Sequence, residues 1–325
     1  MNILSLFDGM SCGRIAAERA GFNVENYYAS ELDKYAITVT QANWPDTVQL
    51  GDVTKWREWD IDWSSIDLLI GGSPCQGFSF AGKQLAFNDP RSALFFEYLN
   101  ILSHIKAVNP NVKFMLENVK MKKEYLDVIS NLLGVEPVFI NSALVSAQNR
   151  QRYYWANWEF MAPADKNIML ADIIDEGITD RDKSFCIDAN YFKGGNLKSY
   201  FEKHRRQLIF ELASINPRCV DITINSDGVR PHKGDCRKSG ISELGRLVFK
   251  DAQKTYTVTT SHMPKIIDEL GYRKLTPVEC ERLQCVNDNY TNHVSNTQRY
   301  KMLGNGWTVD VIAHIFNSLQ SKKDL

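Results

Sequence analysis

Through its first half the chain sets short apolar runs against segments whose apolar residues recur every three or four positions. Asn2 to Leu6 reads as a strand, Gly13 to Ala20 as a helix closed by Gly21 at its C′ position, and Tyr27 to Ser30 as a second strand. The rhythm continues with strands at Thr47 to Leu50 and Ile66 to Ile70, a helix from Ala93 to Ala107 and a strand from Lys113 to Glu117. Such alternation predicts an α/β fold, an open and mostly parallel sheet with crossover helices, which binds ligands at the carboxyl ends of its strands. A helix from Lys122 to Leu133, a strand near Pro137 to Val145 and an aromatic strand from Arg152 to Trp155 complete the sheet. The pattern then changes. Residues 160–270 are less periodic and richer in Lys, Arg, Asn and Gly, as in KSYFEKHRR (198–206) and RPHKGDCRKSG (230–240). From Leu275 helical patterning returns, and Thr308 to Leu319 reads as a helix packing back on the first part. Three stretches follow, with bounds 1–158, 159–272 and 273–325.

Composition narrows the class. A chain of 325 residues with 44% hydrophobic and 24% charged residues is ordinary for a globular protein, and no apolar run approaches the roughly 18 residues of a membrane span. The opening MNILSLFDG meets an acid too early for a signal peptide, so a cytoplasmic protein is expected. The seven cysteines (12, 75, 186, 219, 236, 280 and 285) are odd in number and lack CxxC pairing, so they read as reduced thiols and no metal is expected. The net charge of -1 hides a segregation. Residues 1–175 hold 15 Lys and Arg against 21 Asp and Glu, whereas residues 176–275 hold 18 against 13. A basic segment on an acidic body is compatible with phosphate contact and equally with a solvated charged surface.

Candidate chemistry gathers at the strand ends. LFDGMSCG (6–13) joins the first strand to the first helix, where glycines let a ligand approach the backbone, though the spacing is not GxGxxG. Glu31 stands 22 positions after Gly9 at the end of the second strand, where a carboxylate can accept ribose hydroxyls, and Asp52 ends the third, where it could receive an adenine amino group. With Asp8 they point to an adenosine-bearing cofactor. No phosphate-cradling GxxxxGKS loop accompanies them, and that combination fits S-adenosylmethionine better than ATP or NAD. Cys75, in IGGSPCQGFSFAGKQ, ends the fourth strand, and Glu117, in MLENV, the fifth. A thiol and a carboxyl so placed can act on two atoms of one flat ring, with Arg150 and Arg152 of QNRQR available to stabilise negative charge. A turn cysteine, a capping glutamate and two surface arginines are the plainer alternatives.

These motifs, in this order and over nearly the whole chain, resemble those of the DNA cytosine-5 methyltransferases. LFDGMSCG is similar to the family's cofactor loop, SPCQGFS to its Pro-Cys loop, ENV to its glutamate motif and QNRQR to its paired-arginine motif. LTPVECERLQ (275–284) and GNGWTVDVI (304–312) resemble its closing motifs, while RSALFFEY (91–98) and Trp307 resemble the animal de novo branch.

The resemblance implies an S-adenosylmethionine-dependent methyltransferase (Rossmann-like) fold with a smaller, irregular target-recognition domain at 159–272. It implies that a cytosine flips out of double-stranded DNA, that the Cys75 thiolate attacks C6 while Glu117 contacts N3 and the exocyclic amine, and that C5 is then methylated. Arg152, with Arg150, would hold the base. Phe7, Asp8, Gly9, Ser11, Gly13, Glu31, Leu32, Asp52, Val53, Pro74, Leu94, Asn305, Gly306 and Trp307 would line the cofactor, which leaves as S-adenosylhomocysteine. Ser73, Gln76, Ser79, Gln84, Thr259, Thr260 and His262 would meet the DNA. Residues 76–91 would close over the base, and KTYTVTTSH (254–262) reads as a strand leading to a DNA-facing loop. The implied setting is a bacterial or phage cytoplasm and the restriction-modification context, with DNA as the partner and neither membrane nor metal. A cytosine-5 methyltransferase acting on tRNA, a non-catalytic DNA-binding relative and a dinucleotide oxidoreductase are the rival readings.

Overall fold

The computed structural model describes residues 1–73, 93–211, 241–243, 248–249 and 271–320. The first strand, β1 (Asn2–Leu6), is buried on both faces, as its unbroken apolar run requires. It pairs in parallel with β2 (Asn26–Ser30) on one side and β4 (Leu68–Gly71) on the other. Beyond β2 lies the short β3 (Val48–Gln49), and beyond β4 lies β5 (Lys113–Val119), both parallel to their neighbours. The last two strands, β6 (Val138–Asn141) and β8 (Gln151–Ala156), complete a seven-stranded sheet of order β3-β2-β1-β4-β5-β8-β6, in which only β8 runs antiparallel. Between them Gln148–Asn149 forms β7, paired with β9 (Ser184–Phe185) in a separate ribbon. Strand order reverses between β1 and β4, and such a switch point opens a crevice at the carboxyl ends.

Alternate side chains feed two cores. Ile3, Tyr27, Leu68, Ile70 and Met115 face α1 (Cys12–Arg19), while Leu4, Leu6, Leu69, Phe114, Leu116 and Trp155 face α3 (Ala93–Val108) and α4 (Lys123–Leu133). Each fully buried aliphatic or aromatic side chain contributes about 1.5–3 kcal/mol. One helix is not announced by the apolar pattern. α2 (Lys34–Asn43) carries the β-branched run Ile37 to Thr40, yet Asp33 caps it by accepting from the Tyr35 N–H (3.0 Å), and Ala36, Val39 and Thr40 bury one face. Tertiary burial overrides local preference there. The strand expected over Pro137 to Val145 stops at Asn141, whose side chain accepts from the N–H groups of Ala143 (3.1 Å) and Arg150 (3.0 Å) and turns the chain into a short 3₁₀ helix.

Residues beyond the sheet join the first core through Leu170, Ile173, Ile187, Tyr191 and Ile209. After α5 (Leu197–Lys203), the chain leaves along β10 (Leu208–Glu211) and returns along its antiparallel partner Gly271–Lys274. Within that excursion Ile241–Glu243 pairs with Val248–Phe249. The tail builds α6 (Pro277–Leu283), opened by a Thr276–Glu279 capping box, then α7 (Asn296–Asn305) and α8 (Val309–Gln320). The last helix docks on α1 as the apolar pattern expects: Phe316 stacks on Phe22 with ring centroids 5.5 Å apart, and Arg19 pairs with Asp310 at 2.7 Å. No helix among the described residues is long and apolar enough to cross a membrane.

Candidate active site

Sheet register puts the candidate residues in one row. Leu6 lies opposite Ser30 on β2 and Gly71 on β4, and Gly71 lies opposite Leu116 on β5. One residue further along each strand come Phe7, Glu31, Gly72 and Glu117, all four on the wall of a cleft of about 1110 Å³. Parallel pairing therefore aligns residues far apart in sequence at the switch point.

At the β1–β2 end the loop after β1 is held tightly. Phe7, Gly9 and Ser11 all have positive φ (58°, 61° and 61°), a conformation non-glycine residues adopt only when their surroundings enforce it. Glu31 enforces part of it: its Oε2 accepts from the Gly9 N–H at 2.8 Å, and its Oε1 accepts from Leu32 (2.7 Å) and Asp33 (2.8 Å). A carboxylate offers about four acceptor positions, so one remains for a ligand hydroxyl. Asp8 receives hydrogen bonds from Ser11 Oγ (2.5 Å) and the Tyr27 hydroxyl (2.7 Å). Burial nevertheless pushes its carboxyl up to about 6, with those two hydroxyls working against the rise. Asp52 moves the other way. Hydrogen bonds from Thr54, the backbone N–H first, hold its carboxyl below the usual range, leaving it ionised at neutral pH.

At the β5 end, Glu117 pairs with Arg152, the guanidinium Nε 2.7 Å from Oε1, and accepts from the Trp307 indole N–H at 3.2 Å on Oε2. Register explains the ion pair, since Glu117 stands opposite Tyr154 and Arg152 lies two residues along β8 on the same face. Both groups are largely buried, and Glu117 keeps the guanidinium firmly protonated against the pull of burial. Gly72 makes the close approach possible, because a Cβ there would stand 2.8 Å from Trp307 Nε1 and 3.0 Å from Glu117 Oε2. The indole is aimed by a buried network in which Gln284 donates to the carbonyls of Leu303 (2.6 Å) and Gly306 (3.2 Å) and accepts from Thr308 Oγ1 (2.9 Å).

The model of the C-5 cytosine-specific DNA methylase family matches residues 1–321, almost the whole chain. The chain belongs to that family. This methylase is 29% identical over 342 residues to the type II methyltransferase M1.ScrFI of Lactococcus lactis subsp. cremoris, covering 95% of this chain and 75% of that one. It is 27% identical to the type II methyltransferase M.HhaI of Haemophilus parahaemolyticus, covering 99% and 94%. Among solved structures, a Spodoptera frugiperda DNMT2 mutant superposes with a TM-score of 0.61 at 20% identity, covering 98% of this chain and 99% of that one, a likeness of fold. The protein is thus a DNA cytosine-5 methyltransferase, of a family that uses S-adenosylmethionine.

Within the methylase's cleft the structure gathers Phe7, Asp8, Gly9, Glu31, Leu32, Asp52, Val53, Ser73, Leu94, Glu117, Arg150, Arg152, Asn305, Gly306 and Trp307. Two residues expected against the cofactor stand elsewhere. Ser11 is fully buried behind the wall, bonded to Asp8 and to Thr40 Oγ1 (2.9 Å). Gly13 is a packing glycine, since a Cβ there would come within 2.4 Å of Ile70 Cδ1. Arg150, expected beside the base, lines the cleft. Its guanidinium turns to backbone carbonyls, including Gly306 O at 2.8 Å, rather than to Glu117. Cys75, Pro74, Gln76, Ser79, Gln84, Thr259, Thr260 and His262 lie outside the described residues, as do the loop 76–91 and the strand read at 254–262. Cys12, Asn118, Asn190 and Met302 line the cleft without having been singled out. Gly304, which lines it too, carried a signal in the GNG spacing: a Cβ would meet the Asp188 and Ala189 backbone at 2.2–2.4 Å.

Proposed function

We propose that this methylase transfers a methyl group to C5 of a cytosine flipped out of double-stranded DNA, with Cys75 as nucleophile, Glu117 as its partner on the ring and Arg152 holding Glu117 and the base. The observation that carries the reading is the fixed carboxylate of Glu117, held at 2.7 Å by Arg152 and 3.2 Å by Trp307 at the head of β5. The neighbouring strand β4 ends at Gly71, four residues before Cys75 in the sequence.

The described lining suits S-adenosylmethionine. Asp8, Glu31 and Asp52, at three successive strand ends, line the cleft, one acceptor position on Glu31 is open, and the basic groups among the described lining residues are Arg150 and Arg152. Glu31 would take the ribose, Asp52 the adenine amino group, and the loop from Phe7 to Gly9 together with Asn305 to Trp307 the rest. S-adenosylmethionine, when bound, supplies the electrophilic methyl group that C5 accepts.

The chain's own residues do the remainder. The Cys75 sulfur bonds to C6 and the C5=C6 electron pair moves to C5. Glu117, carrying a proton on one oxygen, donates it to N3 while its other oxygen accepts from the exocyclic amine, which neutralises the negative charge this addition places on the ring. After methylation water takes the C5 proton, the C–H electron pair re-forms C5=C6, the C6–S pair leaves on sulfur as thiolate, and N3 returns its proton to Glu117. A free thiol is only a few per cent thiolate at neutral pH, so Cys75 needs such a setting. Residues 159–272 would form the target-recognition region, and the basic balance of residues 176–275, 18 Lys and Arg against 13 Asp and Glu, suits phosphate.

The test is methyl incorporation into duplex DNA and into tRNA by the wild type and by Cys75→Ala, with covalent capture on duplex DNA carrying 5-fluorocytosine, which has no C5 proton to lose. Labelled DNA and a captured complex for the wild type, and neither for the variant, are expected. Persistent DNA methylation by Cys75→Ala, or label in tRNA alone, overturns the reading.

A further inference from the structure

Arg150 is a buried cation with 3% exposure and, among the described residues, no carboxylate partner. Its donors go to the carbonyls of Ile187 (3.2 Å), Gly304 (3.3 and 3.4 Å) and Gly306 (2.8 Å), with the Cys186 sulfur at 3.3 Å. An unpaired buried charge is costly. The planar fork of a guanidinium does what a neutral side chain cannot, reaching several acceptors on two separate segments at fixed angles.

Those two segments have different origins. Residues 186–187 belong to the run from β9 toward the region beyond the sheet, while 304–306, the last two residues and cap of α7, open the loop that delivers Trp307. They are already in contact, for the Asp188–Ala189 backbone lies where a side chain at Gly304 would be. On its other side the loop reaches the chemistry, as Trp307 Nε1 donates to Glu117 Oε2 at 3.2 Å and Asn305, Gly306 and Trp307 line the cleft. Arg150 itself is pinned through its backbone, its N–H donating to Asn141 Oδ1 (3.0 Å) and its carbonyl accepting from Ser142 (2.9 Å).

We propose that Arg150 is a positioning residue: it clamps the 304–307 loop to the 186–189 segment, and so sets where Trp307 meets Glu117 and where Asn305 and Gly306 meet the cofactor. This rests on the reading of the cleft as the cofactor site. A residue that touches only the flipped base has no effect on the cofactor in the absence of DNA, whereas a clamp on the cofactor loop does.

The experiment measures S-adenosylhomocysteine binding by calorimetry on DNA-free enzyme, and kcat on duplex DNA, for Arg150→Lys, Arg150→Met, Trp307→Phe and the Arg150→Lys/Trp307→Phe double variant. Arg150→Lys keeps the charge and loses the fork, so it carries the test if Arg150→Met does not fold. The expected result is binding weakened about tenfold by Arg150→Lys, the equivalent of one lost charge-assisted hydrogen bond. A kcat loss in the double variant no greater than in the worse single variant is also expected, because both changes act on one loop. Wild-type affinity in the Arg150 variants, or kcat losses that multiply, overturns the proposal. A wild-type enzyme that binds no S-adenosylhomocysteine sinks the reading of the cleft instead.

Discussion

Glu31 and Glu117 occupy the same row at the carboxyl ends of the sheet, on β2 and β5 with β1 and β4 between them, and are held by different means. Glu31 is fixed by the backbone N–H groups of Gly9, Leu32 and Asp33, the farthest 22 residues away. Glu117 is fixed by side chains, Arg152 on β8 and Trp307, which is 190 residues away. The first arrangement exists once β1, β2 and the start of α2 have formed. The second needs the antiparallel strand β8, the tail and the clamp at Arg150 to arrive together. Backbone donors belong to the fold and cannot be re-aimed by rotation about a side-chain bond, whereas an indole and a guanidinium can. The cofactor end is therefore built in, and the base end is assembled.

The largest expected effect comes from breaking the assembled end alone. Glu117→Gln keeps the shape but removes the charge facing the Arg152 Nε, and a kcat loss of about 10³-fold is expected for a group positioned on the reacting ring. Cofactor affinity should stay within about twofold, since Glu31 and the loop from Phe7 are untouched and the amide oxygen can still accept from the Trp307 indole. Steady-state methyl incorporation and calorimetry read the two quantities separately. Loss of both in Glu117→Gln would show that the two ends are not independent.

A second effect separates carboxylates within the built-in end. Burial raises the Asp8 carboxyl from 3.8 to about 6, so the folded protein keeps a proton that the unfolded chain has lost. The folded state then binds more protons between those values, and stability falls as pH rises from about 4 to about 6 and levels off above. The shift corresponds to about 3 kcal/mol. Asp8→Asn lacks this slope. Urea unfolding of both proteins between pH 4 and 7 should show the variant gaining on the wild type with rising pH by up to that amount. The opposite slopes from Asp33, Asp46 and Asp52, all held low by hydrogen bonds, are common to both proteins and cancel in the difference. A gap that stays constant with pH would mean that Asp8 is not a buried acid.

The same contrast explains what could be seen in the sequence. β1 reads as Asn2 to Leu6 because a strand buried on both faces is an unbroken apolar run, and Glu31, Asp52 and Glu117 stand out as acids placed where such runs end. The Glu31 hydrogen bonds are local and leave a spacing to read. The partners of Arg150 are carbonyl oxygens, which every residue carries, so nothing in QNRQR distinguishes a guanidinium aimed at Gly306 from one aimed at a base. Ser11 and Gly13 share a motif with Phe7 to Gly9, yet the helix that starts at Cys12 turns them into the core. Beyond the sheet periodicity fails for a further reason. The region is held by single aromatics rather than by a repeating face, as where Arg181 stacks 3.8 Å from the Phe185 ring and Tyr191 reaches the backbone of Gln207 and Leu275.

The smallest expected effect comes from Glu31→Gln, the counterpart of the change at Glu117. A Gln side chain keeps one acceptor oxygen and sets an NH₂ group where the other stood, facing either the Gly9 N–H or the pair from Leu32 and Asp33. At least one backbone donor is left unsatisfied, which costs about 1–3 kcal/mol if it is buried and less where water reaches it. Leu32 is 69% exposed, so water can serve that side, and the amide should settle there while the oxygen keeps Gly9. The melting temperature should fall by only a few degrees. The ribose loses a charged acceptor, so cofactor affinity should weaken about tenfold. At saturating S-adenosylmethionine, kcat should be close to wild type, because Glu117, Arg152 and Trp307 are held by other parts of the chain. An equal loss in kcat at saturation would place Glu31 in the chemistry and erase the distinction between the two ends.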